Sequence, residues 1–171
     1  SFKTYQRNEA WTWEHLALTR ARPIIGPHEL MDEIEAFRAR LLIQVGHRAK
    51  VKADVLDMRA RIAEAKVPRG PFEAKLGAGR MQDIELTGQA AALMAGRPAG
   101  DTAAQLAAGV AIGWWGDADV ADLCAAYGLC WTVQAASKLV VEGNFDPDTS
   151  GEGARRFVLR ETQMPDMKTL E

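Results

Sequence analysis

The sequence predicts an all-α fold, an irregular bundle of about seven helices. Three observations predict it. Apolar residues recur at three- and four-residue spacing along most of the chain. No segment alternates with a strand period over more than a few residues, and glycine and proline punctuate at intervals that suit helix–helix connections. No internal repeat appears at the 20–50 residue periods that mark solenoids.

The first helix is predicted over residues 2–21. Glu9, Trp13, Leu16 and Arg20 form one stripe on it, and Trp11, His15, Leu18 and Arg22 another, nearly opposite. Pro23 ends it, because proline fixes its own φ and disfavours the α region at Arg22. A second helix is predicted over 28–45, where Leu30, Ile34, Phe37, Leu41 and Val45 give a clean apolar stripe and Gly46 a stop. The third, about 47–66, places Val51, Val55, Met58, Ile62 and Ala65 on one side. Arg48, Lys50, Lys52, Arg59 and Arg61 make the rest mostly basic.

Residues 67–80 read as a Gly- and Pro-bearing loop anchored by Phe72. The fourth helix, about 81–95, carries small residues at Gly88, Ala91, Ala92 and Ala95 that suit close packing. After a turn at 96–100, Asp101 or Thr102 caps a fifth helix ending near Trp114-Trp115-Gly116. Asp117 or Asp119 caps a sixth and longest, reaching about Val141. A polar loop follows at 143–151, then a seventh helix at about 154–162 and a tail.

Composition narrows the function classes. Charged residues make up 26% with a net charge of −2, so no long-range pull toward nucleic acid or an anionic membrane is expected. No apolar run approaches a membrane span, and no signal peptide precedes the first helix. Cys124 and Cys130 project about 240° apart on one helix, which disfavours a mutual disulfide; two buried thiols in a reducing compartment is the preferred reading. The chain opens at Ser1 within a helix already under way, and reads as a piece of a longer protein.

Two stretches carry the functional signal. One is Ala10-Trp11-Thr12-Trp13-Glu14-His15-Leu16-Ala17-Leu18-Thr19-Arg20-Ala21-Arg22-Pro23, with aromatics and charges on more than one face. The other is Gly77-Ala78-Gly79-Arg80-Met81-Gln82-Asp83-Ile84-Glu85-Leu86-Thr87-Gly88-Gln89, where a glycine-bearing loop meets a helix N-terminus. Asp83 and Glu85 suit the helix dipole there, which is an ordinary reason for acids in a first turn. Gln82, Glu85 and Gln89 form a polar stripe on an otherwise apolar helix.

Both stretches resemble the glutamine synthetase adenylyltransferase family. The second is similar to its Gly-Gly-x-x-Asp-Ile-Glu-Phe-x-x-Gln signature. Gly79, Asp83, Ile84, Glu85 and Gln89 match, while Arg80 and Leu86 replace the second glycine and the phenylalanine. The intervening Val55-Leu56-Asp57-Met58-Arg59 also looks like the family, and the likeness is weak after residue 96. The resemblance implies a parent with two nucleotidyltransferase halves, one attaching AMP from ATP to a tyrosine of glutamine synthetase and the other removing it. The Trp-Thr-Trp-Glu-His version is similar to the adenylylating, C-terminal half. Residues 1–171 are then expected to be a single C-terminal helical domain of a longer multidomain nucleotidyltransferase, cytoplasmic, with ATP and Mg²⁺ as the parent's cofactors.

Such chemistry needs carboxylates that hold two Mg²⁺ ions. The family's Gly-Ser-x-x-Asp-x-Asp motif has no counterpart here, so the fragment is expected to be inert alone, and neither cofactor is assigned to it. Asp117-Ala118-Asp119 reads as a helix cap. Asp146-Pro147-Asp148-Thr149-Ser150-Gly151 opens like a calcium loop but puts Phe157 where a bidentate Glu is required. His15, His28 and His47 form no metal constellation by spacing.

Two readings stay open. In one, Glu14, Arg20, Arg22, Asp83, Glu85 and Gln89 face a cleft that closes on ATP or the target protein; arginines meet phosphate and carboxylates orient them. A structural ion-pair network is the plainer account of the same residues. In the other, the bundle is a non-catalytic binding module that docks glutamine synthetase or a PII-type regulator. Its candidate surfaces are the basic face of the third helix and Trp114-Trp115, although core packing is the default for a tryptophan pair.

Overall fold

A computed structural model describes residues 1–171 and contains helices, turns and loops without a strand. The all-α prediction holds. The helices number nine: α1 (Phe2–Asn8), α2 (Thr12–Arg20), α3 (His28–Val45), α4 (Arg48–Ala65), α5 (Met81–Met94), α6 (Thr102–Ala111), α7 (Asp117–Val140), α8 (Glu152–Thr162) and α9 (Met167–Leu170). No helix is long and apolar enough to cross a membrane.

Two departures from the sequence reading account for the higher count. The expected helix over 2–21 is two helices, because Trp11 adopts an extended backbone (φ −87°, ψ 161°) and starts α2 afresh. Glu9, Trp11 and Arg22 therefore lie outside α2, and the two stripes shorten to Trp13, Leu16 and Arg20 on one side and His15 and Leu18 on the other. The tail contributes α9, capped by Asp166, whose carboxylate accepts the Thr169 N–H at 2.8 Å. One turn, anchored by buried Leu170 and partly buried Met167, is too short for periodicity to reveal.

The chain forms two compact units. The first comprises Ser1–Arg61 and Glu85–Asp122, the second Ile62–Ile84 and Leu123–Glu171.

In the first unit, Leu16, Leu42, Val51, Ala90 and Leu93 are buried together, with Leu18, Val45, Val55, Met58, Leu86 and Met94 against them. Fully burying each such leucine contributes about 1.5–3 kcal/mol. The α3 stripe is buried at Phe37 and Leu41, while Leu30 at its start is exposed. α1 lies on α3 through Phe2, whose ring meets Phe37 edge-on at 6.0 Å, with the Arg7 guanidinium 5.3 Å from the Phe37 centroid. His15 joins α2 to α1: it is buried and its Nε2 lies 2.9 Å from the Gln6 carbonyl.

Gly46 ends α3 for a steric reason. A Cβ there would stand 2.3 Å from the Leu93 carbonyl oxygen, so only glycine lets α3 approach α5 this closely. Gly96, at φ +61°, closes α5; its N–H donates to the Leu93 carbonyl and that of Arg97 to the Ala92 carbonyl. Gly88 brings α5 against α6, where a Cβ would sit 3.3 Å from that of Gln105.

The second unit buries Ala74, Val133, Ala136, Phe145, Val158 and Leu170. Phe72 is the expected anchor of the 67–80 loop: its ring meets Phe145 edge-on at 5.7 Å. Asp146 builds its own turn, its Oδ1 accepting the Asp148 N–H at 2.9 Å. Cys124 and Cys130 are free thiols, but both are partly exposed rather than buried.

Candidate functional site

α2 is fixed at both ends by polar contacts. At its start the Trp11 N–H donates to Glu14 Oε2 at 2.8 Å, and the Tyr5 hydroxyl donates to Glu14 Oε1 at 2.8 Å. Glu14 thus supplies the acidic half of a capping box. Both bonds favour its ionised form, the Trp11 N–H most, then the Tyr5 hydroxyl, and its carboxyl sits below the ordinary range. The same carboxylate pushes Tyr5 up.

A pH dependence follows. A lowered carboxyl supplies stability that is complete above the unfolded value, roughly 4.3, and is lost as pH falls through the folded one. The Trp11 amide resonance should therefore titrate with a midpoint below that of an unperturbed glutamate. A midpoint at or above roughly 4.3 would contradict the cap.

At the other end of α2 the free carbonyls are met by the rest of the first unit. Arg38 donates to the Leu18 carbonyl at 3.1 Å, and the Ala99 N–H donates to the Thr19 carbonyl at 2.9 Å. Thr19 is fully buried; its hydroxyl donates to the Leu16 carbonyl at 2.6 Å and accepts from Gln105 Nε2 at 2.9 Å. This network holds the last turn, and Arg20 is its final residue.

From that anchored turn Arg20 reaches Glu85 of α5, at 3.7 Å between Nη1 and Oε1. Both side chains are partly exposed, 36% and 27%. The separation is an ion pair longer than a hydrogen bond, which leaves guanidinium donors for another acceptor. Gln89 lies one turn on from Glu85, half-buried. Arg22 lies beyond the end of α2, exposed, after Ala21 turns extended (ψ 145°).

The remaining sequence-predicted residue, Asp83, belongs to the second unit. Its Oδ2 accepts the Gly79 N–H at 2.9 Å and so holds the left-handed turn at Gly79 (φ +73°) that leads into α5. Arg80, which stands where the signature has glycine, ties the same loop by donating to the Pro71 carbonyl at 2.8 Å. Among the predicted residues, Arg20 meets Glu85, and Glu14 and Asp83 each accept a nearby backbone N–H.

A second feature escaped sequence reasoning. Beside the start of α2 a groove of about 580 Å³ opens against α4, lined by Trp11, Trp13, Thr12, Lys50, Asp54 and Arg61 among others. Trp11 and Trp13 are 67% and 56% exposed. The Thr12 hydroxyl donates to Asp54, and Lys50 donates to both, at 2.8 Å to Thr12 and 2.6 Å to Asp54. Lys50, then Thr12, holds the Asp54 carboxyl below its ordinary range. Asp57 pairs with Arg61 at 2.8 Å. The i,i+4 spacing of these acids and bases on α4 was the available signal; it also makes that face less basic than its lysines and arginines suggest.

No group of three or more His, Cys, Asp or Glu side chains converges as a metal site would require. The residues present do not fit a magnesium centre.

Two family models match different parts of the chain. The family described as Glutamate-ammonia ligase adenylyltransferase matches residues 1–37, and that described as GlnD PII-uridylyltransferase matches residues 49–143, more than half of the chain. Among curated relatives, the chain is similar to the bifunctional glutamine synthetase adenylyltransferase/adenylyl-removing enzyme of Agrobacterium fabrum, at 38% identity over the whole chain. The proteins of the same name from Rhizobium meliloti and Mesorhizobium japonicum are 36% and 37% identical, again over the whole chain. The chain spans 18% of the length of each of these three.

Proposed function

Because the chain belongs to the glutamine synthetase adenylyltransferase family, we propose that it is the helical part of the adenylylating half of such an enzyme. In this reading it is a C-terminal piece of a cytoplasmic protein and supports transfer of AMP from ATP to a tyrosine of glutamine synthetase. The carboxylates that hold Mg²⁺ belong elsewhere in the parent, and this piece alone is inactive. Its contribution is positional: it presents a basic side chain from a helix whose last turn is tied by hydrogen bonds.

One observation carries the reading. Arg20 is the last residue of a helix whose terminal carbonyls are tied by Arg38 and Ala99, yet its own partner Glu85 is held at only 3.7 Å. A fixed backbone with a loosely paired, partly exposed guanidinium suits a group that exchanges a carboxylate for an incoming phosphate. ATP supplies that phosphate, with exposed Arg22 two residues further on.

The test is AMP transfer from α-labelled ATP to glutamine synthetase by the intact protein. Arg20→Ala should lower transfer on the order of ten- to a hundredfold while the melting temperature stays within a degree or two of the parent. Arg20→Lys should recover little of it, since an ammonium lacks the planar fork. Unchanged transfer in a folded Arg20→Ala protein would reject the reading.

A further inference from the structure

Two features singled out separately in the sequence meet in the structure. Arg48 and Lys52, from the basic face of α4, and Trp114, from the turn after α6, line one pocket of about 250 Å³. Ala49, Met94, Ile112 and Gly113 complete it, all within the first unit. No carboxylate lines it. The groove beside Trp11 and Trp13 carries both signs of charge, each largely neutralised by its neighbour. This pocket carries positive charge only, in a protein of net charge −2. The first turn of α4 has no acidic residue to offset it.

Its aromatic wall is rigid. The Trp114 ring stacks on Trp115 with centroids 4.6 Å apart and planes at 21°. Trp115 is locked in turn: its Nε1–H donates to the Leu106 carbonyl at 2.9 Å, and its ring fills the space over Gly109, where a Cβ would lie 2.2 Å away. The Trp114 N–H donates to the Gly109 carbonyl at 2.9 Å. Trp114 keeps 36% exposure on this fixed platform. A preorganised aromatic face loses little entropy on binding.

We propose that this pocket docks a partner protein through an acidic segment that carries one apolar or aromatic anchor. The anchor enters between Trp114, Ile112 and Met94, and flanking carboxylates meet Arg48 and Lys52. Size and charge together choose this occupant. A volume of about 250 Å³ falls short of the roughly 300–1,000 Å³ that envelops a small-molecule ligand, and matches a single inserted side chain. The all-cationic rim complements carboxylates on either side of it. The proposal uses none of the residues on which the AMP-transfer reading rests.

The experiment measures anisotropy of a fluorescein-labelled Asp-Glu-Phe-Asp-Glu peptide titrated with the intact protein. Two control peptides replace the Phe by Ala, or all four acids by Lys. The parent peptide should bind, and each control should bind on the order of tenfold more weakly or not at all. The double variant Arg48→Glu/Lys52→Glu, altered only at exposed side chains, should lose binding on the order of tenfold while retaining its AMP transfer. Ile112→Arg, which blocks the pocket, should lose it too. Equal binding by the charge-reversed protein overturns the proposal, as does equal binding of the Ala control, which would indicate diffuse electrostatics. Displacement of the peptide by free glutamate at millimolar concentration assigns the pocket to a small anion and overturns it as well.

Discussion

Gly46→Ala destabilises the protein by about 2–4 kcal/mol, read as a lowered midpoint in urea unfolding followed by circular dichroism. The added methyl meets a backbone oxygen at 2.3 Å, that of Leu93, and a second, that of Leu42, at 2.9 Å. Neither is the far end of a flexible side chain. Relief therefore requires α3 and α5 to separate, which loosens the packing of Leu42 and Leu93, both at 0% exposure. Gly100→Ala is the control, because nothing lies within 4 Å of the position a Cβ would take there. It should be neutral to within about 0.5 kcal/mol. A Gly46→Ala protein as stable as the parent would mean that the two helices approach less closely than described.

Leu16→Ala costs about 2–5 kcal/mol by the same measurement. The side chain is 1% exposed and sits in the first unit's core with Leu42, Val51 and Leu93. Its truncation leaves a void that neighbouring helices fill only in part. Leu16 is also one turn before Arg20 and gives its carbonyl to the Thr19 hydroxyl. Loss of packing should therefore reach the anchored end of α2, and under the proposed function AMP transfer should fall beyond what the folded fraction explains. Leu16→Met, which keeps the volume, should cost less than about 1.5 kcal/mol. A Leu16→Ala cost below about 1 kcal/mol would place the residue outside the core.

Helix existence was legible because apolar spacing is a direct imprint of burial. α3 runs over the residues its stripe predicted, and α4, α5 and α7 begin and end within one residue of expectation. Asp101 caps α6 as its chemistry suggested, its side chain accepting the Ala104 N–H at 2.8 Å. The break between α1 and α2 was illegible for a physical reason. Trp11 is a poor capping residue, and the cap comes from Glu14 reaching back three residues, an arrangement whose sequence sign is one acid.

The site divides in the same way. Arg20 and Glu85 were named from resemblance and do meet, although 65 positions separate them in sequence. Glu14 and Asp83 were named beside them, and each also accepts a near-neighbour backbone N–H, a local role that the sequence pattern did not display. The groove at Trp11 and Trp13 went unnoticed because aromatics on more than one face do not say which are left uncovered. Exposure of 67% and 56% is a tertiary fact.

The interleaving of the two units has a consequence for synthesis of the protein. The first needs Glu85–Asp122 to complete what Ser1–Arg61 begins, and the second needs Leu123–Glu171 to complete Ile62–Ile84. A ribosome therefore releases Leu16, Leu42 and Val51 well before Ala90 and Leu93 arrive to cover them. From Arg61 to Leu93 the wait is roughly two to six seconds at ordinary elongation rates. For that interval the nascent chain shows apolar surface that a chaperone or an aggregate can take. No early stop codon leaves the second unit whole, and one before Glu85 leaves neither. Gene fragments that respect chain order cannot yield the second unit alone; it must be made by fusing its two segments across the gap.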